Sequence, residues 1–396
     1  MPKMTVRDID VRGKRALVRV DFNVPLDEKT GAITDDNRIR AALPTIKYLI
    51  GHGAKVILMS HLGRPKGKVV AGMSLGVAAR RLSEVLRQPV AMAPDCVGPG
   101  VENMVAAMKP GDVIMLENLR FHTEEETGDA SFAQSLARLG DVLVNDAFGA
   151  AHRAHASVSV IADYLPAVAG FLMEKEVANL SKMLQSPARP FAALLGGAKI
   201  SDKVSMLENI MGRVDYVMVG GGMAATFLKA RAYEVGWSLL EEDMLATAGR
   251  LMKMAQKKKV NLMLPADVAV ADEISREAQV KVFPADKIPK DKRIVDIGPQ
   301  TIADFSLELK KCRTIFWNGP MGIFEIPRFA RGTQELAKLL AKLEAMTVIG
   351  GGSTAEAVIE MGLAGKMAFV STGGGASLEF LSGAKLPGVE ALRERK

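Results

Sequence analysis

The sequence predicts an α/β protein of two parallel-sheet domains joined by a connecting helix. Three observations carry that expectation. Near-continuous apolar runs suit strands buried on both faces, helical segments fall between them, and the residues after each run change from basic or polar in the first half to glycine in the second. With 396 residues, 48% of them hydrophobic, the chain can fill two or three domain cores.

In the first half Ala16-Leu17-Val18-Arg19-Val20 runs into Asp21-Phe22-Asn23, and Val56-Ile57-Leu58-Met59 into Ser60-His61-Leu62-Gly63-Arg64. Val113-Ile114-Met115-Leu116 runs into Glu117-Asn118-Leu119-Arg120, and Val142-Leu143-Val144 into Asn145-Asp146. Helical patterns over Leu75 to Leu86 and Phe132 to Leu139 lie between these strands. Ligands of such sheets sit beyond the carboxyl ends of the strands. Arg19, His61, Arg64 and Arg120 at those ends therefore read as one basic floor for an anion. Next comes His152-Arg153-Ala154-His155, which has no carboxylate or cysteine at ligand spacing, and Arg153 would repel a cation. Arg binds carboxylate and phosphate in bidentate fashion, so an anion is the better ligand here too.

Apolar residues at Met173, Val177, Leu180 and Leu184 follow the spacing of a helix with one buried face, and Ser186-Pro187-Ala188-Arg189-Pro190 stops it. This is the connecting helix. Beyond it, Ala193-Leu194-Leu195 runs into Gly196-Gly197, Val217-Met218-Val219 into Gly220-Gly221-Gly222, Val348-Ile349 into Gly350-Gly351-Gly352, and Phe369-Val370-Ser371-Thr372 into Gly373-Gly374-Gly375. A helical segment follows each. Glycine in that position lets backbone N–H groups and a helix N-terminus approach a phosphate.

Other classes fit less well. The net charge is +7, but basic runs such as Lys257-Lys258-Lys259 and Lys310-Lys311 carry no interleaved aromatics, against a nucleic-acid binder. Gly220-x-Gly222-x-x-Ala225 and Gly350-x-Gly352-x-x-Ala355 match a loose dinucleotide fingerprint. The acidic residues at about the right distance from the first, Glu241 and Glu242, sit in a helical-looking stretch, against a dehydrogenase. The segment Gly63 to Lys68 has the wrong spacing for a Walker loop. Two lone cysteines, Cys96 and Cys312, fit a reducing cytoplasm, and neither an export signal nor a membrane span is expected.

The motifs themselves carry a stronger signal. Arg19-Val-Asp21-Phe-Asn23-Val-Pro25, Ser60-His61-Leu-Gly-Arg64-Pro65, Glu117-Asn118-Leu-Arg120-Phe121 and the stretch from Asn145 to His155 are followed by Gly196-Gly-Ala-Lys199-Ile-Ser-Asp-Lys203, Trp317-Asn318-Gly-Pro320-Met-Gly-Ile-Phe-Glu325 and Ser371 to Glu379. In this order, over almost the whole chain, they resemble the phosphoglycerate kinases. The resemblance implies two Rossmann-like domains: residues 1–170 for 3-phosphoglycerate, a connecting helix over 171–185, and residues 186–384 for nucleotide, with the tail 385–396 packing back on the first.

It also implies reversible phosphoryl transfer from 1,3-bisphosphoglycerate to ADP in glycolysis, with domain closure and without a phosphoenzyme. Asp21, Phe22, Asn23, Arg38, His61, Leu62, Gly63, Arg64, Arg120 and Arg153 correspond to the 3-phosphoglycerate site. Lys199, Lys203, Gly221, Asn318, Pro320, Glu325, Gly350, Gly351, Gly352, Ser353 and Thr354 correspond to the ATP or ADP site. Arg38 and Lys203, with the backbone N–H groups near Gly352 and Gly375, would stabilise the moving phosphoryl group, and Mg2+ would arrive as Mg-ATP or Mg-ADP. A cytoplasmic monomer with no nucleic-acid or membrane partner is expected. The sequence departs from the family at two places: Ser353 stands where many members have a metal-binding Asp, and Phe369 where many have His. The identity of any protein ligand to the metal is thereby left open.

Overall fold

The computed structural model describes residues 3–395. The chain divides into two compact units, one running to Ala178 and taken up again from Lys385, the other spanning Asn179–Ala384. The division falls inside the helix Phe171–Gln185 rather than at either of its ends.

The first unit holds β1 (Arg15–Arg19), β2 (Lys55–Met59), β3 (Ala91–Met92), β4 (Val113–Met115), β5 (Val142–Asn145) and β6 (Ala167–Ala169). Among the described residues these form one sheet of order β3-β4-β2-β1-β5-β6, parallel throughout. Four of them are the apolar runs read from the sequence. The core, including Val18, Val56, Leu58, Val113 and Val144 of the strands and Ile39, Ile46 and Leu82 of the helices Asn37–Gly51 and Gly76–Leu86, is fully or nearly fully buried. The segment from Lys385 joins this unit: Gly388 N–H donates to Ala151 C=O (2.8 Å) and Arg393 N–H to Ala167 C=O (3.0 Å).

In the second unit β7 (Phe191–Leu195), β8 (Tyr216–Val219), β9 (Asn261–Met263), β13 (Thr314–Asn318), β14 (Met346–Gly350) and β15 (Phe369–Val370) make a parallel sheet of order β15-β14-β13-β7-β8-β9. Between β9 and β13 comes an element the sequence did not suggest. β10 (Asp267–Ala271), β11 (Lys281–Pro284) and β12 (Arg293–Ile297) form a separate antiparallel sheet centred on β10. Trp317, Ile315, Leu194, Leu336 and Leu340 lie at the centre of the main core of this unit. No described helix is long and apolar enough to cross a membrane.

Asp146, just after β5, is fully buried and caps the helix Phe171–Gln185, its Oδ1 accepting from Leu172 N–H (2.9 Å) and Met173 N–H (3.2 Å). Burial outweighs these bonds and pushes its carboxyl up to about 6. A carboxyl that holds its proton more tightly folded than unfolded makes stability fall as pH rises between the two pKa values. At about 1.4 kcal/mol per unit, the loss is about 3 kcal/mol between pH 4 and 6, and Asp146→Asn removes it. The melting temperature of the Asn variant, relative to wild type, should therefore rise by at least about 3 °C between pH 4.5 and 7.5. A pH-independent difference would contradict this.

Candidate functional site

The carboxyl ends of β1, β2, β4 and β5 and the neighbouring helix Asn37–Gly51 bring Arg19, Arg38, His61, Arg120 and Arg153 into one electrostatic cluster. Arg38 on the helix Asn37–Gly51 pairs with Asp21. Burial pushes the Asp21 carboxyl up, but the guanidinium groups of Arg38 and Arg19 overcome this and hold it below its usual range. Arg120 sits in a one-turn 3-10 helix, Leu119–Phe121, whose N-cap Asn118 accepts from Arg120 N–H (3.1 Å). Its guanidinium donates to Gly63 C=O (2.8 Å) and pairs with Glu126 (3.3 Å). Gly63 N–H in turn donates to Asn23 Oδ1 (2.9 Å), so the loops after β1, β2 and β4 are tied together. Arg153 lies close enough to Arg19 and Arg120 to disfavour their charge, as like charges do.

The shared floor expected from the sequence needs correcting at Arg19. Its side chain is 1% exposed and donates to Ser157 Oγ (2.8 Å) and to His61 Nδ1 (3.2 Å). Glu125, also fully buried, takes up Ser157 N–H (3.0 Å) and Oγ–H (2.6 Å) and pairs with His155 (3.7 Å). Arg19 is thus a buried support under the site. A guanidinium can only donate, so His61 Nδ1 accepts and its proton sits on Nε2. Burial, ahead of the neighbouring arginines, holds His61 well below 6.5. His61 therefore offers a neutral N–H donor at physiological pH.

Phe22 and Leu62 contribute to the core rather than to a ligand surface. Their N–H groups are already spent on Ser60 Oγ (2.8 Å) and Asn118 Oδ1 (3.3 Å). Arg64 is exposed on the loop after Gly63.

The glycine turns of the second unit are of two kinds, which the sequence did not distinguish. Gly196, Gly197, Gly220 and Gly221 use their N–H groups on Asn318, Pro320, Leu195 and Met321 carbonyls at 2.8–2.9 Å. A Cβ on Gly221 would stand 2.6 Å from Gly197 N and 2.9 Å from Pro320 O, and φ is +64°. These are packing turns. Gly352 and Gly375 instead begin the helices Gly352–Glu360 and Gly375–Leu381, are exposed, and would place a Cβ in open space. The first N–H groups of a helix have no partner within it. These two turns can take a phosphate.

Lys203 ends a 3-10 turn before the helix Val204–Ile210 and is 7% exposed; a Cβ on Gly197 would lie 3.4 Å from its Nζ. Burial lowers its pKa. Lys199 is exposed nearby. Asn318 is 2% exposed, and its Nδ2 lacks a hydrogen-bond partner among the described residues while lying beside Gly350 and Gly351. Thr354 is spent: its Oγ accepts from Gly319 N–H (2.6 Å). Next to these turns opens a cavity of about 480 Å³ lined by Gly221, Pro320, Glu325 and Ser353 and walled by Trp237, Leu239, Ile274 and Ile323. Trp237, Leu239 and Ile274 are 61%, 52% and 52% exposed, an apolar slot that no sequence motif marks because its residues come from separate segments.

The phosphoglycerate kinase family profile matches residues 6–384. This chain belongs to the phosphoglycerate kinase family. It is 54% identical over 395 residues to the phosphoglycerate kinase of Moorella thermoacetica and 55% identical over 395 residues to that of Pelotomaculum thermopropionicum, covering 100% of each chain in both cases. The phosphoglycerate kinase structure from Coxiella burnetii superposes with a TM-score of 0.88 at 41% identity, and that from Pyrococcus horikoshii with 0.87 at 33%, each over 98% of both chains. The two parallel sheets are thus those of the family. The basic strand ends and the glycine turns occupy the segments that carried the resemblance.

Among the described residues the turns at Gly350–Ser353 contribute no group of three His, Cys, Asp or Glu side chains close enough to share an ion. Glu325 is the carboxylate of the cavity, and Ser353 offers a hydroxyl. The donor set does not make a resident magnesium site of this loop, since magnesium asks for carboxylates beside its waters and phosphates.

Proposed function

We infer that this chain catalyses the reversible transfer of a phosphoryl group between 1,3-bisphosphoglycerate and ADP, giving 3-phosphoglycerate and ATP. The observation that carries the reading is the convergence of Arg38, Arg120, Arg153 and the neutral His61 on one set of strand ends, a field of positive charge suited to a small phosphorylated carboxylic acid. Asn23 and Asp21 orient the loops and the hydroxyl end of that acid. The nucleotide base rests on the apolar wall of Trp237, Leu239, Ile274 and Ile323, with Glu325 toward the ribose. Its phosphates meet Lys199, Lys203, Asn318 and the N–H groups at Gly352 and Gly375. Mg2+ enters as part of the nucleotide substrate, held by phosphate oxygens and water.

The carboxylate of 3-phosphoglycerate is itself the nucleophile, so the protein needs no nucleophilic side chain. Loose in-line transfer asks for position and for positive charge around the equatorial oxygens. Arg38 and Lys203 supply that charge, and the helix N-termini at Gly352 and Gly375 supply oriented N–H donors. Because acceptor and donor bind to different units, the two ligands must be brought together for transfer, which also keeps water from the acyl phosphate.

The test is ATP-dependent phosphorylation of 3-phosphoglycerate, followed by enzymatic reduction of the acyl phosphate and the accompanying loss of NADH absorbance. Turnover that requires both 3-phosphoglycerate and ATP is expected; ATP hydrolysis independent of 3-phosphoglycerate, with no reducible product, would overturn the reading.

A further inference from the structure

We propose that Asp95, Cys96 and His122 form a binding site for a thiophilic divalent cation of the zinc class. None of the three takes part in the chemistry assigned above. One oxygen, one sulfur and one nitrogen atom from these side chains all lie within 4.8 Å of one another. Two of the three are already linked side chain to side chain: His122 Nε2 is 2.8 Å from Asp95 Oδ1. A tetrahedral ion with bonds of about 2.0–2.3 Å brings its ligand atoms to roughly 3.3–3.7 Å from one another. The cluster therefore needs to contract by only about 1 Å at its widest.

The backbone holds the ligands where they are. Asp95 C=O accepts from Glu117 N–H (3.3 Å), Cys96 N–H donates to Asp95 Oδ1 (2.6 Å), and the His122 ring stacks on Phe132 with centroids 5.2 Å apart. Cys96 is fully buried and closes the inner side. The side chains of His122 and Asp95 are 28% and 48% exposed, which gives an ion a way in.

Sulfur with imidazole and carboxylate is the donor set of zinc and its neighbours, while magnesium and calcium take oxygen. On binding, the thiol proton leaves to water as the metal–sulfur bond forms, and the imidazole proton resides on Nδ1. Thiolate, carboxylate and a divalent ion then sum to zero charge, and three protein ligands leave a fourth position to water.

The test uses Co2+ alone, titrated into the full chain. A thiolate-to-cobalt charge-transfer band should grow to saturation at one equivalent, be abolished by Zn2+ and persist in excess Mg2+. Cys312→Ser should retain the band and Cys96→Ser should lose it. His122→Gln and Asp95→Asn, both at partly exposed side chains, should weaken Co2+ binding by no less than the roughly tenfold that even outer partners of a metal site cost. No charge-transfer band in wild type, or a band that survives in a folded Cys96→Ser protein, would overturn the site.

Discussion

Lys203→Ala should lower kcat by about 10³-fold or more, with little loss of stability. Lys203 is 7% exposed, and burial already works against its charge. An ammonium held in that state gains most when phosphate charge arrives beside it, because a dry site strengthens Coulomb attraction. Its removal takes away a buried charge rather than an apolar contact, so the fold gives up little. Arg38→Ala should act similarly, with the added effect that Asp21 loses its partner. Lys68→Ala, at an exposed position outside the matched motifs, should be nearly silent. Steady-state kinetics that put Lys203→Ala within tenfold of wild type would remove Lys203 from the role assigned to it.

A second large effect separates the two kinds of glycine turn. Gly352→Ala should fold and melt like wild type, since its Cβ enters open space at the first turn of a helix. On the proposed reading that methyl group stands where the nucleotide phosphates approach the N–H groups, so kcat/KM for nucleotide should fall on the order of 10²-fold. Gly221→Ala should behave in the opposite way. Its Cβ would meet backbone atoms at 2.6–2.9 Å at a positive φ, costing several kcal/mol and lowering the melting temperature before any effect on catalysis is read. Equal loss of stability in both variants would mean that the distinction between packing and phosphate-binding turns is wrong.

The two kinds of turn share one sequence pattern. Strand, glycine and helix follow one another in the same way at Gly220–Gly222 and at Gly350–Gly352. Only the neighbouring backbone tells which N–H groups are left over. The parallel strands were legible because runs such as Val56 to Met59 are buried on both faces. β11 was not, because Lys281-Val282-Phe283-Pro284 is largely exposed and ends in proline. Arg19 looked like a ligand-facing cation, since a charged residue closing an apolar strand usually faces solvent or ligand. Glu125, linked to it through Ser157, sits in the acidic run Thr123–Thr127, where nothing in the spacing says which carboxylate turns inward. Motif positions such as Lys203 and Asn318 were legible from the resemblance, whereas most of the apolar wall of the cavity was not, because residues 237, 239 and 274 lie outside every motif.

On the proposed reading the basic strand ends take the phosphorylated acid and the glycine-turn unit takes the nucleotide. Hydrogen exchange read by mass spectrometry, with each ligand added alone, tests it most directly. 3-Phosphoglycerate should protect peptides containing Asp21–Asn23, His61–Arg64, Asn118–Arg120 and Arg153, and leave the second unit unchanged. Mg-ADP should protect peptides containing Lys199–Lys203, Asn318–Glu325 and Gly350–Thr354, and leave the first unit unchanged. Protection of the glycine-turn peptides by 3-phosphoglycerate alone, or of the basic strand ends by Mg-ADP alone, would contradict the account.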